Sequence, residues 1–396
     1  MSVKTGPLVL LHAPVRKGTI LEYAAHLSLE LSALGLQVVL HVPADCEWPA
    51  GVPQPAYVVS NQRNPNVELK FGSPRWALNR FFLAFYNSWQ RLRLAREVQA
   101  DLLHLQLILP WVDGGFVRLH RRTARIIYTV HDVVPHVFKL PARVDRCLRR
   151  ECYHLADGLI FHTAVNRAQF ESVYSFLPSQ TAVIPHGLCW RGPFSDADAV
   201  HSKGYLGLPA ERQIILMFGE VRPNKGVEVL IRAFAAVLAQ APQAFLLIAG
   251  PLHPSVNPRE LQEQLQRLPP GSWEWRQGWI SKDDLSHYFR AASVVALPYV
   301  AFTSQSGVLA QAYAYGRPVV VSEVGGLGAT VREDDSGLVV SPSQPDELAG
   351  ALGCLLTDGA RWRRCQDNIA RVAQEKYSWA QVARQTAAFY NSVLQN

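Results

Sequence analysis

Short apolar runs alternate with longer amphipathic stretches along this whole chain, a rhythm that belongs to parallel sheets covered by helices on both faces. In the first half the runs fall at 7–12 (PLVLLH), 37–42 (QVVLHV), 102–106, 126–130 (IIYTV), 158–162 (GLIFH) and 182–185. A second series begins at 213–218 (QIILMF) and continues through 244–249 (AFLLIA), 294–298 (VVALP) and 318–322 (PVVVS). Between the first two runs, 20–34 carries apolar residues at helical spacing and stops at Gly35, which suits a left-handed C-cap. The stretch 187–212 is rich in Gly, Pro, Ser and Asp and reads as the link between the two series. The last stretch, 378–394, reads as an amphipathic helix with Ser378 at its N-cap.

Two such series in 396 residues predict two doubly wound α/β domains, since one hydrophobic core rarely organises so long a chain. The predicted boundaries are 1–190 and 200–376, with 377–396 as a closing helix. Open parallel sheets bind ligands beyond the carboxyl ends of their strands. Two of them facing one another would enclose a cleft.

Composition removes several classes. Hydrophobic residues at 48% and charged residues at 18% describe a globular chain rather than a disordered one. No window is long and apolar enough to span a bilayer, and the run after Lys4 is broken at once by Pro14, Arg16 and Lys17, unlike a signal peptide. The six cysteines form no C-x-x-C pair and no cluster with histidine, so neither zinc nor a disulfide framework is indicated. Reduced thiols and a cytoplasmic location are expected. Residues 1–200 hold 21 Lys and Arg against 15 Asp and Glu, whereas 201–396 hold 18 against 17. The basic excess lies in the first half and favours an anionic partner there: a membrane surface, a phosphorylated acceptor or nucleic acid. No recognisable nucleic-acid module supports the last of these.

Two segments carry the chemistry. In FGEVRPNKGVEVLIRAF (218–234) a strand ends at Gly219, a polar turn brings Arg222 and Lys225, and Gly226 opens a helix. Cations at the carboxyl end of a strand beside a helix N-terminus suit a diphosphate, although an ordinary solvated βα turn would look the same. In AFTSQSGVLAQAYAYGRPVVVSEVGGLG (301–328) the small polar loop Thr303 to Gly307 leads into a helix. Small residues there let backbone N–H groups approach an anion closely, or simply cap the helix.

With LLIAGP (246–251), GWISKDDLSHYFRAASVVALP (278–298), DSGLVV (335–340), TVHD (129–132), AVIPHG (182–187) and KYSW (376–379), these segments resemble family-4 (group 1) glycosyltransferases of the GT-B fold. The resemblance implies two Rossmann-like domains facing across a cleft, an acceptor-binding first and a nucleotide-sugar-binding second, with the last helix crossing back onto the first. It implies transfer from a UDP- or GDP-linked sugar to a glycan, glycolipid or lipid-linked acceptor, as in polysaccharide biosynthesis, without cofactor or metal. It makes Lys225, with Arg222 beside it, the diphosphate ligands. The amides of Ser306, Gly307 and Val308 would meet the β-phosphate or the sugar, and Gln311 the ribose. Gly278, Trp279 and Ile280 would lie against the base. Gly219 and Gly250 would stand at the strand ends, His131 near the transferred sugar, and Gly18 would permit close approach after the first strand. His186 fits a structural turn.

The chain departs from the family where its paired acids, Glu-x7-Glu, become Thr303 and Gln311, and where the usual arginine after the strand glycine becomes Glu220. A neutral amide accepts from a ribose hydroxyl more weakly than a carboxylate does. Retention is the expected course, because the leaving diphosphate can itself assist the acceptor hydroxyl. Inversion would instead require Asp132 or His131 as base, and a non-catalytic scaffold that keeps the fold is the further alternative.

Finally, 71–96 interleaves Trp76, Phe81, Phe82, Phe85, Tyr86 and Trp89 with Arg75, Arg80, Arg91, Arg93 and Arg96. Such a helix suits the face of an anionic membrane. The shared i, i+4 face of Phe81, Phe85 and Trp89 equally suits a core helix with basic ends.

Overall fold

The computed structural model describes residues 6–63, 73–134, 141–176, 180–302 and 306–395, which leaves the predicted site residue Thr303 outside the described residues. The chain divides into two compact units, Met1–Gly187 with Trp379–Asn396, and Leu188–Ser378. In the first unit the elements run β1 (Leu8–His12), α1 (Thr19–Ala33), β2 (Gln37–Pro43), β3 (Val58–Gln62), α2 (Pro74–Glu97), β4 (Leu102–Leu105), α3 (Pro110–His120), β5 (Arg125–Val130), α4 (Ala142–His154), β6 (Gly158–Phe161), α5 (Ala164–Tyr174) and β7 (Thr181–Val183). The second unit holds α6 (Asp196–Tyr205), β8 (Gln213–Phe218), α7 (Val227–Gln240), β9 (Ala244–Gly250), α8 (Pro258–Gln266), β10 (Trp273–Gln277), α9 (Lys282–Ala291), β11 (Ala292–Leu297), α10 (Gly307–Ala314), β12 (Val319–Ser322), α11 (Leu327–Asp334), β13 (Gly337–Val340), α12 (Pro345–Thr357) and α13 (Gly359–Glu375). Helix α14 (Trp379–Gln395) returns to the first unit, where it packs on α1.

The first sheet has the order β3-β2-β1-β4-β5-β6-β7 and the second β10-β9-β8-β11-β12-β13, each with its strands paired in parallel. In both, the order reverses beside the first strand, between β1 and β4 and between β8 and β11. That reversal leaves a crevice at the carboxyl ends of the two strands. Buried on both faces, the central strands are continuously apolar and sort their side chains by parity. Ile214 and Leu216 of β8 enter one core cluster with Phe245, Leu247 and Ala249 of β9, while Ile215 and Met217 enter the opposite one with Leu246 and Ile248.

Three strands outside the two predicted series are β3 (VVSNQ), β10 (WEWRQ) and β13 (GLVV), all at sheet edges. Being only half covered, β3 and β10 carry polar residues, and β13 is apolar but four residues long. The stretch 187–212 is not a mere linker. Ser195 and Asp198 form a capping box that opens α6, which packs on α9, and Leu188 and Leu208 lie buried in a core of the second unit. Its Gly, Pro and Ser content concealed those few apolar anchors.

Two glycines make room for α14. A Cβ on Gly158 would stand 2.8 Å from Phe389 Cζ, and one on Gly187 would stand 2.4 Å from Trp379 Cδ2. Among the described residues no helix is long and apolar enough to cross a membrane.

Candidate functional site

In the second unit the crevice between β8 and β11 is shaped by close backbone approaches. Gly219, at the end of β8, has φ +100°, and Gly250, at the end of β9, has φ +143°. A Cβ on Gly250 would come within 2.2 Å of the Gly219 carbonyl oxygen, so only glycine lets the two strand ends meet. The turn after β8 folds as a short 3-10 segment, Pro223–Lys225, closed by Gly226 at φ +68°. A Cβ there would lie 1.9 Å from the Pro298 carbonyl oxygen. Asn224 fastens the turn to the end of β11, its carbonyl accepting from Val300 N–H at 3.0 Å and its Nδ2 donating to the Ala301 carbonyl at 3.2 Å.

This anchoring sets Lys225 on an aromatic floor. Its Nζ lies 3.6 Å from the centroid of the Tyr299 ring and 5.2 Å from that of Phe302. Burial, with Arg222 nearby, lowers its pKa to about 8, against a smaller opposing effect of Glu220. The ring faces hold the ammonium by cation–π attraction. The Tyr299 hydroxyl lies 3.3 Å from Ser306 Oγ, and Ser306 Oγ accepts from Leu309 N–H at 3.3 Å as the N-cap of α10. Tyr299 therefore ties the cation to the helix N-terminus whose first residues are Gly307 and Val308. Val308 Cγ2 would stand 3.5 Å from a Cβ on Gly219, which brings the strand glycine to the same place.

Lys225, Ser306, Gly307, Val308 and Gly219 thus converge, with Gly250 beside Gly219. Arg222 is drawn toward Glu220, with which its Nε forms an ion pair, so part of its charge is answered within the turn. Gln311 sits one turn into α10 and is partly buried. After β10, Gly278 takes φ +116°, Trp279 is 87% exposed and Ile280 packs on a core cluster. An indole so exposed next to the strand ends offers a flat face for stacking.

In the first unit Gly18 has φ +100° and precedes α1, with nothing within 4 Å of where a Cβ would stand. His131, just past β5, borders a cavity of about 330 Å³ also lined by Asp132, Gln106, Thr129 and Trp111. Both of its ring nitrogens are engaged: Nδ1 lies 3.0 Å from His162 Nε2, and Nε2 lies 2.9 Å from Gln106 Oε1. His162 Nδ1 is 3.1 Å from the Ile184 carbonyl, which only accepts, so that nitrogen carries a proton. Burial holds His131 well below the usual imidazole range and lowers His162 to about 3, so both rings are neutral. His131 Nδ1–H then donates to His162, and its Nε2 keeps a lone pair toward Gln106. Gln106 is found with Oε1 toward His131 and its NH2 3.1 Å from His104 Nε2, which also lies 2.7 Å from Thr129 Oγ1. A half-turn of the amide lets it donate to the His131 lone pair and accept from His104, whose Nδ1 lies 2.6 Å from the Tyr390 hydroxyl. A ring held on both sides is well placed to position a ligand and poorly placed to exchange protons with one.

Residues 212–358 match the family model for glycosyl transferases group 1, and residues 22–188 match that for glycosyltransferase family 4. The chain belongs to glycosyltransferase family 4. A D-inositol 3-phosphate glycosyltransferase of Nocardioides sp. is 32% identical over 59% of this chain and 53% of that protein, and one of Corynebacterium glutamicum is 28% identical over 76% and 74%. The match thus spans about half the length of the first relative and about three quarters of the second. Sucrose-phosphate synthase from Thermosynechococcus elongatus superposes with a TM-score of 0.73 at 22% identity, covering 98% of this chain and 99% of that one. Anabaena Alr3699/HepE in complex with UDP and glucose gives 0.72 at 19% identity, covering 98% and 100%. The fold of this glycosyltransferase is therefore GT-B.

Sequence reasoning missed Tyr299, Gln106 and His162 in this family-4 glycosyltransferase. The signal for Tyr299 was the aromatic directly after Leu-Pro at the end of β11. Nothing in the chain pairs it with Lys225, 74 positions earlier. His162 and Gln106 stand at the ends of β6 and β4, on either side of β5, and read as a lone core histidine and a loop amide.

Proposed function

We propose that the chain transfers a sugar from a UDP- or GDP-linked donor to a glycan, glycolipid or lipid-linked acceptor, with retention and without a metal or cofactor. The observation that carries this reading is the Lys225 ammonium, held on Tyr299 next to the N-terminus of α10. A half-buried cation and free helix amides at one point fit a diphosphate. Negative charge grows on the leaving diphosphate as the glycosidic bond breaks, and preorganised donors stabilise it most where charge develops. The diphosphate oxygen then takes the proton of the acceptor hydroxyl, so no protein base is needed on that face. The engagement of both His131 nitrogens supports this course. Inversion would fall to Asp132, which borders the same cavity. Trp279 stacks on the base and Gln311 meets the ribose in this reading. The solved complexes of Anabaena Alr3699/HepE hold UDP and UDP-glucose.

The acceptor is met at the inner face of an anionic membrane. Helix α2 supports this: Leu78, Phe81, Phe82, Phe85 and Trp89 are between 45% and 61% exposed along one stripe, and although Phe81 stacks on Trp111 and Phe85 meets Phe116, about half of each ring remains open to solvent. Arg93 is exposed beside them. Arg91 points the other way, buried in an ion pair with Asp113 at 2.7 Å, and takes no part in that surface. Calorimetry with UDP, GDP and their sugars, in EDTA, tests the donor reading, and proton NMR of the product gives the anomer. Absence of nucleotide binding would overturn it; tight binding without turnover on any acceptor would leave a scaffold. Co-sedimentation with phosphatidylserine vesicles, lost on Phe82→Ser/Phe85→Ser, tests the membrane part.

A further inference from the structure

A second cavity of the first unit, of about 230 Å³, opens where the chain leaves β1, β3 and β4. It adjoins the His131 cavity, sharing Leu107, Leu109 and Trp111 with it. Its polar lining includes Arg63, Arg80, Arg91 and Asn87, and the arginines outnumber the carboxylates three to one, Asp113 being the acidic member. That carboxylate is already committed: Oδ1 accepts from Arg91 at 2.7 Å and Oδ2 from Leu109 N–H at 2.6 Å. His12 adds no charge, because burial keeps it neutral.

Arg63 is held in place rather than loose in solvent. Asn87 Oδ1 accepts from its N–H at 2.9 Å and Asn87 Nδ2 donates to its carbonyl at 2.8 Å. Its guanidinium lies 4.9 Å from the centroid of the Tyr86 ring. A stacked guanidinium presents its donors in a fixed fork, the geometry that suits phosphate and carboxylate oxygens.

We propose that this cavity binds an oxyanion carried by the acceptor, a phosphate ester or a carboxylate, while the acceptor hydroxyl occupies the adjoining His131 cavity. The proposal rests on the reading that the first unit receives the acceptor, and it gives the N-terminal basic excess a place and a purpose. Because the donor site also attracts phosphate, the test uses the full chain carrying Lys225→Ala. Inorganic phosphate and acetate are titrated into it by calorimetry at low and high salt, with and without Arg63→Gln/Arg80→Gln.

The expected result is phosphate binding that weakens with salt and falls at least tenfold in the double variant, with an unchanged melting temperature. Acetate competing as well as phosphate would assign a carboxylate-bearing acceptor, and phosphate alone a phosphate ester. Arg63→Lys/Arg80→Lys, which keeps charge but loses the fork, is expected to bind between the two. Absence of phosphate binding, or binding indifferent to the arginine pair, would overturn the proposal. Neither result touches the donor reading, which is tested with nucleotides on the unaltered chain.

Discussion

The two units share a topology but build their crevices from different materials. In the second unit the site is mostly backbone: Gly219, Gly226 and Gly250 bring strand ends and a turn together, α10 offers amides, and Lys225 supplies the charge. In the first unit side chains dominate: the His162–His131–Gln106–His104 chain at the strand ends and the Arg91–Asp113 pair between α2 and α3. Backbone geometry suits a part common to many donors, such as a diphosphate. Side-chain constellations can vary from one acceptor to another without disturbing the sheet. The comparison predicts that single changes at the second unit's crevice alter binding without altering stability, whereas breaking the buried Arg91–Asp113 pair of the first unit costs stability.

The largest expected effect tests the first half of that statement. Lys225→Ala should lower kcat/KM for transfer by about 10²–10³-fold, the scale of losing one preorganised charge donor. Circular dichroism and the melting temperature should stay unchanged, and retained activity would remove Lys225 from the site. Next comes Asp113→Ala, which strands a buried guanidinium at a cost of about 3–5 kcal/mol. A clear fall in melting temperature is expected while nucleotide affinity persists; an unchanged melting temperature would show that the pair is not structural.

A smaller effect sharpens the role of Tyr299. Tyr299→Leu removes the ring face under Lys225 and should weaken nucleotide-diphosphate binding by about 0.5–2 kcal/mol, whereas Tyr299→Phe keeps the ring and most of the affinity. Equal losses in both would credit the hydroxyl contact with Ser306 instead. The smallest effect is on pH. The free Lys225 ammonium loses its proton as pH rises through about 8, and a bound diphosphate favours the charged form. Nucleotide affinity should therefore be flat below pH 8 and fall above it, by at most about tenfold per unit, a slope that Lys225→Ala abolishes. Affinity rising with pH would contradict the assignment.

Much of the fold was legible because central parallel strands are buried on both faces and must be continuously apolar. β1, β2, β4, β5, β6, β8, β9, β11 and β12 announce themselves. Of the edge strands only β7 was marked, by its run at 182–185; β3, β10 and β13 were not, and α6 was hidden in a stretch whose composition mimics a linker. For the candidate site, the glycines, Lys225 and the Ser306–Val308 loop were legible since each needs a special residue at a fixed place relative to a strand end. The exposure of Phe81, Phe85 and Trp89 was not. Their i, i+4 spacing defines a face of α2 but not which way it turns, and Ala84, Ser88, Arg91 and Ala95 took the buried side.

By itself the sequence determined two doubly wound units, an amphipathic last helix and the glycines and cations at the end of β8, because each follows from periodicity or from a local conformational demand, while the return of that helix to the first unit was implied only by the family resemblance. Only the tertiary structure decided that Lys225 rests on Tyr299, that His131 is held neutral between His162 and Gln106, and that Arg63 and Arg91 meet around one cavity. These contacts join residues far apart in the chain. They exist because parallel sheets gather the ends of successive strands at one edge, and no local pattern records which ends become neighbours.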